Sequence, residues 1–158
     1  MTYNIEIQNA TENPMPLSED ELIGLASLAL RDHRSNTELT IRLVNSEEMT
    51  HLNQTYRQQN KTTNVLAFPS SLPDAVALEY PLLGDIIICP QVILAESNKL
   101  RKTLKEHWSL ILIHGVLHLL GYDHTKEEDA IIMQALEIKL LDELGYSNPY
   151  DTEDNELE

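Results

Sequence analysis

The chain has 158 residues, of which 42% are hydrophobic and 23% are charged, so it can build the core of one domain and is not wholly disordered. No apolar run approaches the ~20 residues that cross a bilayer, and the first residues lack the pattern of a secretory signal. The single cysteine, Cys89, excludes an intrachain disulfide and a cysteine-based zinc cluster. We therefore expect a cytoplasmic protein that has no membrane partner.

The net charge of −15 is concentrated at the two ends of the chain. Residues 31–105 carry nine basic and eight acidic side chains, whereas the rest of the chain carries two basic and eighteen acidic ones. Contacts from Lys and Arg to phosphates supply most non-specific affinity for nucleic acid, so the total charge argues against nucleic-acid binding. The balanced middle still permits a basic face, and solubility is the simpler explanation for the acidic ends.

The predicted elements follow from apolar spacing, β-branched runs and helix-end signals such as Ser18, Pro90 and Gly121. In chain order they are a strand (Thr2–Asn9), a helix (Glu19–His33), a strand (Glu38–Val44), a helix (Glu47–Tyr56), a polar loop (Arg57–Asn64), a strand (Val65–Phe68), an exposed connection (Ser70–Pro81), a strand (Leu83–Cys89) and three helices (Pro90–Lys102, Leu104–Leu120 and Lys126–Leu144).

This order predicts the α+β class: a small mixed β-sheet of about four strands packed with about five helices in a single domain. The predicted domain covers residues 1–146. Residues 147–158 hold five acidic and no basic side chains, so we predict a disordered acidic tail there.

Three histidines lie within eleven residues, in the segment HGVLHLLGYDH. His114 and His118 are spaced i, i+4 on a predicted helix, which places both imidazoles on one face. Gly121 permits a sharp turn that can return His124 to the same point. A lone buried histidine usually serves packing, but this cluster predicts a metal site. Three imidazoles suit Zn²⁺, with Ni, Cu or Fe as alternatives, and leave a coordination position open, as in catalytic zinc sites.

The spacing H-x3-H-x2-G-x2-H also matches the motif of the metzincin proteases. Those enzymes carry a glutamate general base directly after the first histidine. Gly115 occupies that position here, which argues against a protease of that mechanism.

The same segment resembles the signature of the YbeY-type rRNA maturation factors, a family of metal-dependent single-strand endoribonucleases. The segments LNQTYRQQNKTTNVLAFP and LGDIIIC are similar to two further family blocks, so the resemblance extends from about Leu39 to Leu144. Many members have Asp and Ser where this chain has Asn64 and Ala67, so a role for an acid or a hydroxyl at those two positions does not carry over.

The resemblance implies that His114, His118 and His124 bind one zinc ion per chain. It implies that Arg57 is the important basic residue of the cleft, and that the protein processes the 3′ end of small-subunit rRNA and acts in ribosome quality control. Independently of the resemblance, the guanidinium of Arg57 is suited to grip a phosphate and to stabilise charge in phosphoryl transfer. A surface pairing with Glu47 or Glu48 is the alternative.

We therefore predict Arg57 and His114 as catalytic residues, and Arg57 with Lys61 as the substrate-binding pair. The expected partners are single-stranded RNA, in particular rRNA, and the ribosome or ribosomal proteins. Two other functions stay open: a zinc hydrolase acting on a peptide or ester, and a non-catalytic ribosome-assembly factor whose zinc is structural.

Two further features have more than one interpretation. The basic cluster Lys99, Arg101, Lys102 and Lys105 is either an RNA-guiding surface or the solvated end of a helix. Asp123 is predicted mainly to cap the last helix, with a second-shell or general-base role as alternatives.

Overall fold

The computed structural model describes residues 2–70 and 82–150 of the chain. The elements in chain order are β1 (Thr2–Asn9), α1 (Glu19–Leu30), β2 (Asn36–Leu43), α2 (Ser46–Arg57), β3 (Val65–Pro69), β4 (Leu82–Ile88), α3 (Pro90–Leu100), α4 (Leu104–Leu119) and α5 (Glu127–Glu143). The predicted α+β domain with four strands and five helices is confirmed. Most of the predicted connection Ser70–Pro81 and residues 151–158 of the predicted tail lie outside the described residues.

The four strands form one mixed sheet in the order β1-β2-β4-β3. The three strands β1, β2 and β4 are parallel, and β3 pairs antiparallel with β4 at one edge. Parallel neighbours need crossover connections, which α1 supplies between β1 and β2. The connection from β2 to β4 contains helix α2, a loop over residues 58–64 and the edge strand β3.

Helices cover both faces of the sheet, as is usual for parallel strands. In β4, Ile86 and Ile88 belong to the main core with α1 and α4, whereas Ile87 belongs to a smaller cluster with Met49 of α2. Successive strand residues point to opposite faces, so β4 contributes to both clusters. The middle of α4 is buried almost all round, and this helix packs between the sheet and the other helices. Among the described residues, no helix has the length and apolar composition needed to cross a bilayer.

Gly84 sets the distance between β4, β3 and α4. Its φ is +147°, a value that residues with a side chain rarely adopt, and a Cβ there would collide with the carbonyl oxygen of Phe68 and stand 3.0 Å from Cδ2 of Leu119. The absence of a side chain therefore lets β3 and α4 approach β4 together. This matters for function because β3 and α4 form two walls of the cleft described next.

Candidate active site

Helix α4 presents His114 and His118 on the one stripe that is not part of the core. Both are half-buried, whereas Gly115, Leu117 and Leu119 around them are buried. The burial of Leu117 and Leu119 follows from the nearly continuous apolar sequence of this helix. The i, i+4 spacing then leaves two imidazoles side by side at the margin of the core.

A tight turn after α4 brings the third histidine back to the first two. Gly121 has a φ of +105°, and its N–H donates to the carbonyl of His118 at 3.0 Å. The hydroxyl of Tyr122 forms a 2.8 Å hydrogen bond with Nε2 of His33, which anchors the turn against the end of α1. As a result, the exposed His124 faces the two histidines of α4.

The three imidazoles, here called the histidine triad, converge on one point. Their ring centroids are 4.5, 4.9 and 5.4 Å apart, and one ring nitrogen from each lies within 4.8 Å of the others. The Nε2 atoms of His114 and His118 stand 3.1 Å apart. Two ligands on a tetrahedral zinc ion with bonds of about 2.0–2.1 Å are separated by about 3.4 Å. The donor set and its spacing therefore fit a divalent metal such as zinc.

The electrostatics of the triad favour the neutral form that a metal needs. Burial, together with the neighbouring His114 and His124, which disfavour another positive charge, lowers the pKa of His118 to about 4. A neutral imidazole keeps a lone pair for coordination. His118 is therefore in its ligand form at neutral pH.

A buried carboxylate supports the triad from behind. Nδ1 of His114 donates to Oε2 of Glu137 at 2.5 Å, and the hydroxyl of Tyr150 donates to Oε1 of the same carboxylate at 2.5 Å. Burial and the negative charge of Glu137 both raise the pKa of Tyr150, so its hydroxyl keeps its proton. These contacts join α4, α5 and the segment after α5 at the triad.

The triad forms one side of a cleft of about 290 Å³ whose other side is α2, β3 and the loop between them. Both predicted substrate-binding residues line this histidine cleft. Among the described residues, the lining consists of Asn53, Arg57, Gln59, Lys61, Thr63, Asn64, Val65, Leu66, Ala67, His114, Gly115, His118 and His124. These described lining residues include two cations, Arg57 and Lys61, and no carboxylate, although the protein as a whole is acidic.

Arg57 is the last residue of α2 and is exposed. In the part of the chain that the structure describes, no carboxylate pairs with it. Glu48, one of its two alternative partners, instead binds Arg42 at 3.1 Å. The guanidinium is therefore available to a ligand in the cleft.

The loop that carries Lys61 is held in place by hydrogen bonds to its backbone carbonyl groups. The buried Asn53 donates from Nδ2 to the carbonyl of Lys61 at 2.9 Å, and Gln58 ends α2 in a left-handed conformation with a φ of 55°. At the far end of the loop, the carbonyl of Asn64 accepts from the N–H of Cys89 at 3.0 Å. The loop is thus fixed at both ends relative to the sheet.

A second polar network lies behind the same loop. Nδ2 of Asn64 donates to Oε1 of Glu96 at 3.1 Å, and Nε2 of the buried His107 donates to the same oxygen at 2.9 Å. Partial burial raises the pKa of Glu96, but the hydrogen bonds from His107 and Asn64 outweigh it, so the pKa is lowered overall. Glu96 is therefore ionised and connects the cleft wall to α3 and α4.

In this fold, a side chain at the position of the metzincin glutamate would have to displace its neighbours. A Cβ on Gly115 would stand 3.1 Å from Cγ2 of Ile86 and 3.3 Å from Cγ2 of Val65. A longer side chain would enter the packing between α4 and the sheet. The packing around Gly115 thus supports the sequence argument against a metzincin mechanism, which was based on the absence of a glutamate at this position.

The prediction that Asp123 caps the last helix is wrong. The N-cap of α5 is Lys126, which makes no side-chain capping bond. Oδ1 of Asp123 instead accepts from the N–H groups of His124 and Thr125 at 2.6 and 3.2 Å. Asp123 forms a local turn, because its carboxylate reaches the two N–H groups that follow it before any helix begins. This turn fixes the backbone of His124.

The basic cluster lies away from the histidine cleft, and half of it is paired. Lys105 binds Glu21 at 2.9 Å, and Lys102 lies 3.7 Å from Glu106. None of its four members lines the cleft. Its two interpretations stay open.

A larger cleft of about 630 Å³ lies at the carboxyl ends of the parallel strands, between the N-termini of α2 and α3. Among the described residues, its titratable lining residues are Glu12 and Glu47, and no histidine of the triad lines it. The chemistry of the described residues therefore points to the smaller cleft.

The sequence did not single out Glu137, Tyr150, Asn53 or Glu96. A signal for Glu137 is present, because it lies four residues after Met133 and four before Leu141, on the stripe of α5 that is otherwise buried and apolar. The acidic residues around it conceal this signal.

Comparison with known proteins places the chain in a family. The family model described as Endoribonuclease YbeY matches residues 6–145. The chain belongs to the endoribonuclease YbeY family. It is 69% identical over 158 residues to a protein named Endoribonuclease YbeY from Legionella pneumophila strain Corby, with all of both chains covered. It is 44% identical over 152 residues to a protein of the same name from Pseudomonas putida, with 96% of each chain covered.

A solved structure supports the fold. The solution structure of a Thermotoga maritima protein matches with a TM-score of 0.56 and 23% identity, covering 93% of this chain and 99% of that one. At that level of identity the match shows the fold alone. The resemblance to the YbeY-type family found in the sequence is confirmed by the family model and the curated relatives.

Proposed function

We propose that this protein is a metal-dependent single-strand endoribonuclease of the cytoplasm that hydrolyses RNA phosphodiesters. Its proposed roles are maturation of the 3′ end of small-subunit rRNA and ribosome quality control, with rRNA and the ribosome or ribosomal proteins as partners. The observation that carries the proposal is the meeting of the histidine triad, Arg57 and Lys61 in one cleft. The names of the relatives support RNA as the substrate.

The triad supplies the proposed metal site through one nitrogen each of His114, His118 and His124. A bound zinc ion, one per chain, supplies a Lewis acid beside the scissile phosphate. His114 is counted as catalytic because it would hold the metal ion that acts on the scissile phosphate.

Arg57 and Lys61 divide the work of holding the substrate. The planar guanidinium of Arg57 can donate two parallel hydrogen bonds to one phosphate and stabilise the charge that develops on it. Lys61 offers a point charge to a neighbouring phosphate from the loop that Asn53 fixes. These two cations explain how a chain with a net charge of −15 binds RNA locally.

The shape of the cleft favours a single strand. A volume of about 290 Å³ has room for a phosphate and the groups next to it. Single-stranded segments can turn their bases away from the backbone and place one phosphate deep in such a site.

A non-catalytic role in ribosome assembly is the second candidate function. The observation that favours it is the network from His114 through Glu137 to Tyr150, which would let a metal hold the last helices together. A peptide or ester hydrolase of the metzincin type is disfavoured by the packing at Gly115.

The deciding experiment combines metal analysis with cleavage of a single-stranded RNA. Wild type, His114→Ala and Arg57→Ala are purified in parallel. We expect about one zinc per chain in wild type and Arg57→Ala, loss of zinc in His114→Ala, and loss of cleavage in both variants. If wild type binds one zinc per chain but cleaves RNA no faster than the two variants, the result would favour the assembly factor.

A further inference from the structure

Among the described residues, Glu137 is a buried carboxylate with no lysine or arginine beside it. It is 0% exposed, and its two oxygens are used by the imidazole of His114 and the hydroxyl of Tyr150. Burying a carboxylate is costly unless it is paired or fully hydrogen-bonded. An apolar residue at this position of α5 would avoid that cost, so packing alone does not explain a glutamate here.

The contact with Glu137 settles which nitrogen of His114 faces the triad. Because the carboxylate accepts the Nδ1–H, the lone pair of the ring is on Nε2, and this is the atom that stands 3.1 Å from Nε2 of His118. A carboxylate behind a metal-binding histidine fixes the ring orientation and makes the ligand nitrogen more basic. Glu137 is placed to do both.

Tyr150 brings the end of the described chain into the same network. Gly145 turns the chain after α5 with a φ of +87°, and the N–H of Tyr146 donates to the carbonyl of Leu141 at 2.9 Å. Ser147 and Pro149 then line a small pocket with residues of α4 and α5. The chain thus returns over the helices until the hydroxyl of Tyr150 reaches Glu137.

We propose that Glu137 is the positioning residue of His114, and that the hydroxyl of Tyr150 holds Glu137 in place, so that Tyr150 is a working part of the metal centre. This inference rests on the proposed binding of a metal by the histidine triad. It extends that proposal to residues outside the cleft, which touch neither metal nor RNA.

The test measures the affinity for Zn²⁺ by competition with a chromogenic chelator. The variants are Glu137→Gln, which keeps the size of the side chain but removes its charge, and Tyr150→Phe, which removes one hydroxyl. Matched controls are Glu143→Gln on the surface of the same helix, which loses an ion pair with Arg31, and Tyr146→Phe on the same segment.

We expect Glu137→Gln to raise the Kd for Zn²⁺ about 10- to 100-fold, Tyr150→Phe to raise it in the same direction by a smaller factor, and both controls to keep it within about twofold of wild type. Because Tyr150 acts through Glu137, the double variant is expected to be no weaker than Glu137→Gln alone. Equal affinity in wild type, Glu137→Gln and Tyr150→Phe would overturn the inference while leaving the metal proposal intact. Absence of Zn²⁺ binding by wild type would overturn both.

A second readout separates positioning from simple stabilisation. Thermal unfolding is recorded without metal and with saturating Zn²⁺, and the absorption spectrum is recorded with Co²⁺ in the site. Positioning predicts a smaller Zn²⁺-induced rise in Tm and an altered Co²⁺ spectrum for Tyr150→Phe. If Tyr150→Phe lowers the Tm relative to wild type by the same amount with and without Zn²⁺, and the Co²⁺ spectrum is unchanged, the role of Tyr150 is structural only and the proposal is contradicted.

Discussion

Gly115 of α4 lies directly against Ile86 of β4, and a single added carbon on Gly115 would stand 3.1 Å from Cγ2 of Ile86. This contact falls between the two histidines that α4 contributes to the triad. The close approach of the histidine-bearing stripe of α4 to the sheet therefore depends on the absence of a side chain at Gly115.

Replacing Gly115 tests this packing. In Gly115→Ala, a gain in helix propensity of about 1 kcal/mol opposes an overpacking cost of about 1–3 kcal/mol, so its free energy of unfolding is expected within about 2 kcal/mol of wild type. Gly115→Glu adds a buried, unpaired carboxylate and is expected to be clearly less stable than Gly115→Ala. Urea denaturation of the metal-free proteins measures both, and equal stability of the two variants would refute the packing argument.

Zinc is expected to stabilise the folded protein through the triad. A ligand that binds only the folded state adds about 2.7 kcal/mol at a concentration of 100 times its Kd. Alanine at His114, His118 or His124 should remove this gain in thermal unfolding experiments with added Zn²⁺. His51→Ala is the control, since His51 is exposed and lies outside the cleft. A full zinc-induced gain in any triad variant would remove that histidine from the ligand set.

Arg57 and Lys61 are expected to fail in different ways when they are changed. Arg57→Lys keeps the charge but loses the paired donors, so kcat should fall about 100- to 1,000-fold, as when a transition-state donor is removed. Lys61→Ala should mainly raise KM and weaken the dependence of KM on salt. Arg34→Ala, which changes an exposed cation outside both the cleft and the basic cluster, is the control. Steady-state cleavage at two salt concentrations separates these outcomes, and full activity in Arg57→Lys would show that charge alone suffices.

Glu96 is expected to contribute stability that is lost in acid. Its pKa is lowered in the folded protein from the ordinary value of 4.5, so its contribution is fully present above about pH 4.5 and disappears as the pH falls through the lowered folded-state value. The difference in free energy of unfolding between wild type and Glu96→Gln should therefore be larger at pH 6 than at pH 3. Metal-free protein is used to avoid the titration of metal ligands. A difference that does not change with pH would contradict the assignment of an ionised Glu96.

Local signals predicted the elements of the fold well. Ser18 caps α1 with a complete capping box that includes Glu21, and Pro90 begins α3, as their chemistry indicates. The pairing of the strands was beyond the sequence. No local pattern in β3 or β4 predicts that β4 lies between β2 and β3, because this order depends on how the whole chain packs.

The site was predictable where its residues are close in sequence. The triad lies within eleven residues, so spacing alone brought it together, and the family resemblance added Arg57. Glu137 and Tyr150 were missed because they reach His114 only through the packing of α5 and the following segment. Asp123 was misassigned because the N–H groups of His124 and Thr125 compete with the start of α5 for its carboxylate. Which of these donors it binds depends on the residue at which α5 begins.

The contact from His114 through Glu137 to Tyr150 also orders events during biosynthesis. The sheet and α4 are complete in the growing chain well before residue 150 is added, and chains fold from the N-terminus as they are made. Tyr150, which completes this network, is therefore the last described residue to emerge. We expect a chain that ends before residue 150 to bind Zn²⁺ more weakly than a chain that contains Tyr150.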